Sequence, residues 1–503
     1  MGNLRRFANL PRPLLLLLIA AAAVYFFQLG RAGFDDAEAY SAYIASRPNL
    51  RAVFDASLQL DPGKGGSLYF FALHWYCEWF GTGEIALRAF SAGFALGDVM
   101  LVFALAAELF GVETALIAAT LWAFNPIALI AARWARMYSM IIALTLGSLL
   151  AMRKVEQRPS ALRIVTFGGL TAAMLYTHLG GPLMLGAEAA ILIRDRWRGR
   201  AIVAGCLGIA IALIAFTPLA PAAFTQIQAL VAGHRLDWIG SAHHTPLASK
   251  IIGSLVAAML GLVVVFGPPM PFDHADANPL DDSEPMRWCA IWSILPVMAL
   301  MVGALVLHPM FQIRYVAPVI AGFAILIAAA LNFAGSRIRN LSALAIASTF
   351  LILAILYQTY HPPFALWRQV ADAVEAARSP AQTVFFEAGY VMSLEQSAGL
   401  DSRSLVEVFP GGYLRIPFDY YFHGANPRRA INPFRPDLAR EAISQAASRD
   451  GGAWLLSHMS DDDLARELPS AKDFVRLRVI YDESVSVSLY HFLPREHRQS
   501  EEH

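Results

Sequence analysis

The stretch Gly33-Phe34-Asp35-Asp36-Ala37-Glu38-Ala39-Tyr40 follows directly on the first long apolar segment of the chain. It places three carboxylates within four positions, just beyond a predicted membrane span. A charged side chain is costly inside hydrocarbon, so a cluster at this position indicates a site that faces water or polar lipid head groups. The sequence therefore predicts chemistry at the membrane surface, in a chain whose other long segments are largely apolar.

Composition supports a polytopic membrane protein. The 503 residues are 57% hydrophobic and 16% charged, whereas soluble domains carry about 25% charged residues. Lys plus Arg and Asp plus Glu both count 39, so the net charge gives no sign of a nucleic-acid partner. We predict that there is none. Cys77, Cys206 and Cys289 lie in separate apolar segments without metal-ligand spacing, which argues against a disulfide framework or a zinc site.

Apolar segments of roughly the 20 residues that a bilayer requires divide most of the first 360 residues. They lie near 12–30, 86–110, 113–132, 137–152, 162–178, 180–193, 201–221, 247–267, 288–307, 314–334 and 341–359. The short loops that are rich in Lys and Arg fall on one side only if about eleven segments span. This threading predicts that the amino terminus lies on the cytoplasmic side of the membrane and the carboxyl terminus on the outer side.

One aromatic segment, at residues 67–80, is too short to span, and counting it would invert every later basic loop. With His74 and Glu78 among its aromatic residues, it suits a helix in the membrane interface, or else a re-entrant element.

After residue 360 the charge rises, and helix-like stretches alternate with short strand-like runs. The helices are expected at 366–378 and 438–448, and the strands at 383–386, 453–456 and 485–492. The fold class is thus mainly α: a membrane domain over 1–360 with about eleven spans and interfacial helices in its first outer loop, and an extramembrane α/β domain over 361–503.

The outer ends of the threaded helices collect carboxylates, cations and aromatic or imidazole groups. These residues are Asp35, Asp36, Glu38, Lys64, Arg88, Arg133, Arg136, Tyr138, His178, Arg314 and Tyr315. Carboxylates opposite several arginines at a lipid–water boundary suit a phosphorylated lipid that is held by guanidinium groups.

Each group also has an alternative role. The three carboxylates could cap an interfacial helix, Arg133 and Arg136 could anchor a helix end, and His178 could be a hydrogen-bonded core residue. His243 and His244 form a pair without a third metal ligand at familiar spacing. Asp98 and Glu188 lie within predicted spans, where pairing between helices is the preferred interpretation.

Four stretches resemble the C-type superfamily of membrane glycosyltransferases, in the branch of protein O-mannosyltransferases and lipid A sugar transferases. They are Phe34-Asp35-Asp36-Ala37-Glu38-Ala39-Tyr40, residues 68–75 with 80–81 and 86–91, Ala135-Arg136-Met137-Tyr138-Ser139-Met140, and Pro309 with Arg314-Tyr315-Val316-Ala317-Pro318. Two departures concern donor contacts: Pro62-Gly63-Lys64-Gly65-Gly66-Ser67 stands where the family often has His-Pro-Pro, and Arg133-Trp134 replaces a usual Gln-Glu. The sugar specificity of a relative is therefore not transferred.

The resemblance implies transfer of one sugar from a polyprenyl-phosphate carrier to a glycan, lipid or protein acceptor, with inversion, on the outer side of a bacterial inner membrane. Asp36 would be the base, with Asp35 as second choice. Arg136 and Arg314 would neutralise the phosphate, assisted by Lys64 and Arg133. The remaining contacts to substrate or isoprenoid would come from Glu38, Tyr69, Arg88, Tyr138, His178 and Tyr315. We predict no cofactor and no metal, although some relatives use a divalent ion that Asp35, Asp36 and Glu38 could hold.

Two other functions are compatible with the same composition. A lipid or sugar transporter (a flippase) is the main alternative, but the sequence has no internal repeat and its charges gather at one face. An assembly factor with a membrane anchor would leave the arginines and carboxylates without a purpose.

Overall fold

The computed structural model describes residues 11–60, 67–178, 180–194, 199–224, 283–306, 317–331, 336–360, 366–387, 412–431, 436–457, 474–482 and 487–494. The chain divides into two compact units. The helical unit comprises Met1–Leu29 and Ile44–Pro362, and the α/β unit comprises Gly30–Tyr43 and Pro363–His503. The acidic segment therefore groups with residues more than 300 positions away along the chain.

Fourteen helices precede the carboxyl-terminal residues in the described part of the chain. They are α1 (Arg12–Phe26), α2 (Asp36–Ala45), α3 (Leu50–Leu60), α4 (Ser67–Phe80), α5 (Glu84–Phe110), α6 (Val112–Ala123), α7 (Pro126–Arg133), α8 (Tyr138–Gln157), α9 (Ala161–Thr177), α10 (Gly181–Arg194), α11 (Arg200–Phe216), α12 (Ser283–Val306), α13 (Ala317–Leu331) and α14 (Ser336–Tyr360). The long helix α5 packs against α6, α7 and α8, and α9 packs between α8 and α11.

The expected span at 113–132 is a bent pair of helices. Pro126 lacks a backbone N–H and so suits the first turn of a new helix. The Asn125 side chain caps that turn by accepting the N–H of Ile127 at 2.9 Å. Helices α6 and α7 consequently meet at a 60° bend.

Three helices in the described ranges are long enough and apolar enough to cross a membrane, and the bent pair would make a fourth. Five further apolar helices have 10–17 residues. The count of about eleven spans stays a prediction, and the expected segment at 247–267 lies outside the described residues. The expected short aromatic helix is α4, with exposed Trp75, Trp79 and Phe80; its position in the interface also stays a prediction.

Helices α9 and α11 approach closely at two glycines. A Cβ atom at Gly168 would lie 2.6 Å from the carbonyl oxygen of Gly208, and one at Gly208 would overlap the Phe167 ring. Small residues commonly allow such close packing between membrane helices. A Cβ atom at Gly169, the next position of α9, would have nothing within 4 Å.

Among the described residues, the α/β unit contains one sheet and three helices besides Asp36–Tyr43 of α2. The elements are α15 (Leu366–Ala376), β1 (Thr383–Glu387), α16 (Gly412–Tyr421), β2 (Arg428–Ile431), α17 (Pro436–Asp450), β3 (Ala453–Ser457), β4 (Phe474–Asp482) and β5 (Val487–Pro494). The strand order is β2-β1-β3-β5-β4. Strand β1 pairs in parallel with β2 and β3, and β5 pairs antiparallel with β3 and β4.

Helices cover both faces of this sheet, which explains the continuous apolar runs of β1 and β3. On one face Val384 and Phe386 pack with helices α15 and α16. On the other face Phe385 and Leu455 pack with helix α17. The fold thereby places α15 and α16 on the same side of the sheet.

His491 on β5 is held neutral by its surroundings. Its ring stacks on Trp454 at a centroid distance of 3.8 Å and 3°, and its Nε2 lies 3.0 Å from Oε1 of Gln382. Burial lowers the pKa of His491 to about 4, whereas an unfolded histidine titrates near about 6.5. As the pH falls through this window, the unfolded chain gains a proton that the folded chain does not, so stability declines.

Replacing Gly168 by Ala should lower the free energy of unfolding by about 1–3 kcal/mol, because backbone at the α9–α11 contact must shift. Thermal unfolding in detergent measures this. Gly169→Ala is the matched control and should leave the melting temperature unchanged or slightly higher. Equal melting temperatures for the two variants would show that this helix contact is not close.

The melting temperature of the wild-type protein should fall between pH 7.5 and pH 5, and His491→Phe should make that fall smaller. Phenylalanine keeps the stacking on Trp454 but cannot take up a proton. His423→Phe, at an exposed position of the same unit, should leave the fall intact. If His491→Phe and wild type show the same pH dependence, the loss of stability at low pH does not come from His491.

Candidate functional site

The acidic segment opens helix α2 with a reciprocal cap. The N–H of Glu38 donates to Asp35 Oδ1 at 2.8 Å, and the N–H of Asp35 donates to Glu38 Oε2 at 3.3 Å. This is a capping box with Asp35 at the N-cap and Glu38 three positions later. The capping role that the sequence offered as an alternative is therefore confirmed for these two carboxylates.

Asp36 lies at the first position of α2 and has a different partner. Its Oδ1 accepts the indole N–H of Trp367 at 2.8 Å, and the indole ring is completely buried. Both residues belong to the α/β unit. A buried indole N–H normally requires an acceptor, so this hydrogen bond fixes one oxygen of the Asp36 carboxylate.

The backbone before Asp36 is held by helix α16. The N–H of Phe34 donates to the hydroxyl of Tyr421 at 2.6 Å. The Phe34 ring, which is also fully buried, lies 4.9 Å from the ring of Tyr420. Helices α15 and α16 therefore contact both the main chain and the carboxylate of the acidic segment.

Side chains of the helical unit fix the chain on either side of residues 30–43. Arg133 donates to the carbonyl oxygens of Val24 at 3.1 Å and Phe27 at 2.6 Å, within and just beyond the last turn of α1. Arg88 donates to the carbonyl of Leu29 at 2.7 Å. The two bonds from Arg133 satisfy carbonyls that the end of α1 leaves without intrahelical partners, so Arg133 anchors the end of α1.

His74 of α4 does the same on the far side of the acidic segment. Its Nδ1 lies 2.7 Å from the carbonyl oxygen of Ala45, the last residue of α2. A carbonyl only accepts, so the imidazole must carry a proton on Nδ1. The chain is thus fixed in the helical unit immediately before residue 30 and shortly after residue 43.

A second group of predicted residues gathers around Arg136 in the helical unit. Arg136 is 1% exposed, and its guanidinium carbon lies 6.0 Å from the centroid of the Phe70 ring. The Ser91 hydroxyl donates to the Arg136 carbonyl at 3.4 Å. Buried Tyr69 lies beside Phe70, with ring centroids 5.2 Å apart. A buried guanidinium beside an aromatic ring suits an anion that carries a lipid chain.

Tyr138 and His178 belong to the same part of the helical unit. Their rings lie 5.8 Å apart, and Tyr138 stacks on Trp134 at 5.2 Å and 17°. His178, which follows α9, accepts the N–H of Gly180 on Nδ1 at 2.8 Å. This bond leaves Nε2 as the protonated nitrogen of the neutral ring.

Several predicted positions lie outside the described residues. These are Lys64, Arg314 and Tyr315 of the proposed site and the pair His243 and His244. Within the ranges that the structure describes, no three His, Cys, Asp or Glu side chains are grouped so as to hold a metal ion.

The two acidic residues of the predicted spans differ in their surroundings. Glu188 accepts the hydroxyls of Ser148 at 2.5 Å and Thr171 at 3.1 Å, which lie on two other helices. The preferred pairing between helices is therefore confirmed for Glu188. For Asp98, which is also buried, Oδ1 has no hydrogen-bond partner among the described residues.

Trp367 and Tyr421 are site residues that the sequence did not reveal. Trp367 lies 331 positions from Asp36, and no motif connects the two. The one available signal is the strongly amphipathic pattern of α15, which predicts that Trp367 faces a core but not what its N–H contacts.

Comparison of the fold with solved structures identifies a similar architecture. No family model matches the chain, and no curated protein matches its sequence. ArnT from Cupriavidus metallidurans in the apo state is 14% identical, with a TM-score of 0.58 over 95% of this chain and 97% of ArnT. ArnT bound to undecaprenyl phosphate gives 0.53 with the same identity and coverage. The archaeal oligosaccharyltransferase AglB from Archaeoglobus fulgidus gives 0.46 at 13% identity, over 88% of this chain and 69% of AglB. At this identity the comparison shows a shared fold: the chain has the architecture of ArnT, as the resemblance predicts.

The cap predicts different results for two substitutions at Asp35. Asn keeps an oxygen that accepts the Glu38 N–H, so Asp35→Asn should unfold at nearly the wild-type temperature. Asp35→Ala should lose about 1 kcal/mol of stability. Activity per folded molecule should be close to wild type in Asp35→Asn, and its loss there would make Asp35 the base in place of Asp36.

Proposed function

We propose that this chain is an integral membrane glycosyltransferase that moves one sugar from a polyprenyl-phosphate carrier to an acceptor hydroxyl. The fold of ArnT over nearly the whole of both chains supports this proposal, as does the undecaprenyl phosphate with which ArnT was crystallised. We further propose that transfer occurs on the periplasmic face of a bacterial inner membrane, with an acceptor that is a glycan, a lipid or a protein.

The observation that carries the proposal is the division of roles among three adjacent carboxylates. Asp35 and Glu38 hold the start of α2 by capping it. The Asp36 carboxylate instead accepts a side-chain N–H from a buried indole, and it is half-buried itself. A carboxylate that is oriented by a rigid partner, and that the helix cap does not need, is suited to proton transfer.

In the proposed reaction Asp36 is the general base. The acceptor oxygen attacks the anomeric carbon of the donor while its proton passes to the Asp36 carboxylate. The bond between the anomeric carbon and the phosphate oxygen breaks, and its electron pair leaves with the polyprenyl phosphate. Attack opposite to the leaving group inverts the configuration at the anomeric carbon.

The leaving phosphate requires preorganised positive charge. Arg136 fits this role, because its guanidinium is buried next to the Phe70 ring, which can border an isoprenoid chain. Hydrogen bonds or ring surface for the donor would come from Tyr69, Tyr138 and His178. Glu38 would act indirectly, by capping the first turn of α2. Arg314, Lys64 and Tyr315 remain predicted contacts. Arg88 and Arg133 are proposed first as anchors of the chain, and phosphate binding by either stays a prediction.

Cationic side chains that neutralise the phosphate make a divalent ion unnecessary, so we propose a metal-independent reaction. The product polyprenyl phosphate is common to every donor of this class, whichever sugar it carries. Its release therefore reports the reaction before the sugar and acceptor are known.

Asp36→Asn should lower polyprenyl-phosphate release by about 10²–10⁴-fold, the contribution typical of a general base. The assay uses the purified protein in lipid nanodiscs, with envelope extract of the source cells as donor and acceptor, in the presence of EDTA. Asp372→Asn, which removes an exposed carboxylate from α15 of the same unit, is the matched control and should retain full activity.

Undiminished release by Asp36→Asn would remove Asp36 as the base. Release that occurs only after EDTA is replaced by a divalent cation would overturn the metal-free mechanism. Absence of release from wild type, together with movement of labelled lipid between leaflets, would favour the flippase.

A further inference from the structure

We propose that Trp367 is a positioning residue for Asp36, and hence that the α/β unit takes part in catalysis by orienting the proton acceptor. The inference rests on the proposed function, since it assumes that Asp36 is the base. The carboxyl-terminal residues would thus orient a catalytic group and would be more than an accessory domain.

The indole of Trp367 has little freedom to move. It is completely buried at the start of α15, in a core that also contains Val370, Phe386 and Phe418. Close packing fixes the two side-chain torsions of a tryptophan. The direction of its N–H is therefore set by the core of the α/β unit.

That fixed N–H determines how Asp36 is presented. It lies 2.8 Å from Oδ1, and a carboxylate is planar, so holding one oxygen restricts the rotation of the other. The bond between Phe34 N–H and the Tyr421 hydroxyl restrains the backbone two residues earlier. Backbone and carboxylate are thus both restrained from within one unit.

The chain offers a closely matched control in Trp454 on β3. Trp454 is 3% exposed and belongs to the same core as Trp367. Its ring stacks on His491, but its indole N–H has no hydrogen-bond partner among the described residues. Replacing Trp454 therefore removes packing alone, whereas replacing Trp367 removes packing and the bond to Asp36.

The experiment compares Trp367→Phe with Trp454→Phe in the nanodisc assay of polyprenyl-phosphate release, normalised to folded protein. Trp367→Phe should lower kcat by about tenfold, the size expected for loss of one hydrogen bond to a charged group. KM for the donor should change less than about twofold, because the donor is not what Trp367 holds. Trp454→Phe should keep kcat near the wild-type value while lowering the melting temperature similarly.

Should Trp367→Phe fail to fold, benzothienylalanine can be incorporated at position 367 instead. This analogue has the shape of tryptophan with sulfur in place of the indole N–H, so it should fold normally and still lower kcat by about tenfold. Wild-type kcat with the analogue at 367, or equal kcat in the two Phe variants, would overturn the inference. If that happens while Asp36→Asn is inactive, the proposed function stands and only this inference fails. If Asp36→Asn is active, the proposed base is wrong and this inference fails with it.

Discussion

The hydrogen bond from the Trp367 indole to the Asp36 carboxylate is the constraint on which the site of the α/β unit depends. An indole buried in an apolar core has a single polar atom, and leaving that atom without a partner destabilises the fold. Asp36 supplies the partner at 2.8 Å. The packing of α15 against the sheet, together with the contact of Tyr421 with Phe34, therefore determines where the carboxylate lies. The proposed base is therefore oriented by the same packing that stabilises the α/β unit.

The helical unit holds the chain just before and just after residues 30–43 by different means. Arg88 and Arg133 donate to carbonyls at and after the end of α1, and His74 lies within hydrogen-bond distance of the last carbonyl of α2. All three act on main-chain atoms just outside residues 30–43. The two arginines, which the sequence suggests as substrate ligands, thus have a demonstrated part in fixing the backbone. Arg136 is buried beside Phe70, and we propose it as a ligand of the leaving phosphate.

Local pattern predicts much of the fold and little of the site. The strands β1 and β3 and the short helix α4 can be predicted directly, because each is visible in its own sequence as an apolar or aromatic run. Strand β4 is not evident from its sequence, since charged residues interrupt it, and the sequence predicts a continuous span where the chain bends before Pro126. The cap of Asp35 and Glu38 follows from a four-residue motif. The partner of Asp36 lies 331 positions away, and such a contact depends on tertiary packing that no local motif encodes. The number of spans depends in part on residues outside the described ranges.

The most direct test of the central proposal is mass spectrometry of envelope lipids, glycans and proteins from source cells that lack this gene. The cells would be complemented with wild type or with Asp36→Asn at matched membrane abundance. We expect one molecular species to lose the mass of a single sugar in the deletion, and only wild type to restore it. No sugar-sized difference, or full restoration by Asp36→Asn, would contradict a glycosyl transfer that depends on this carboxylate.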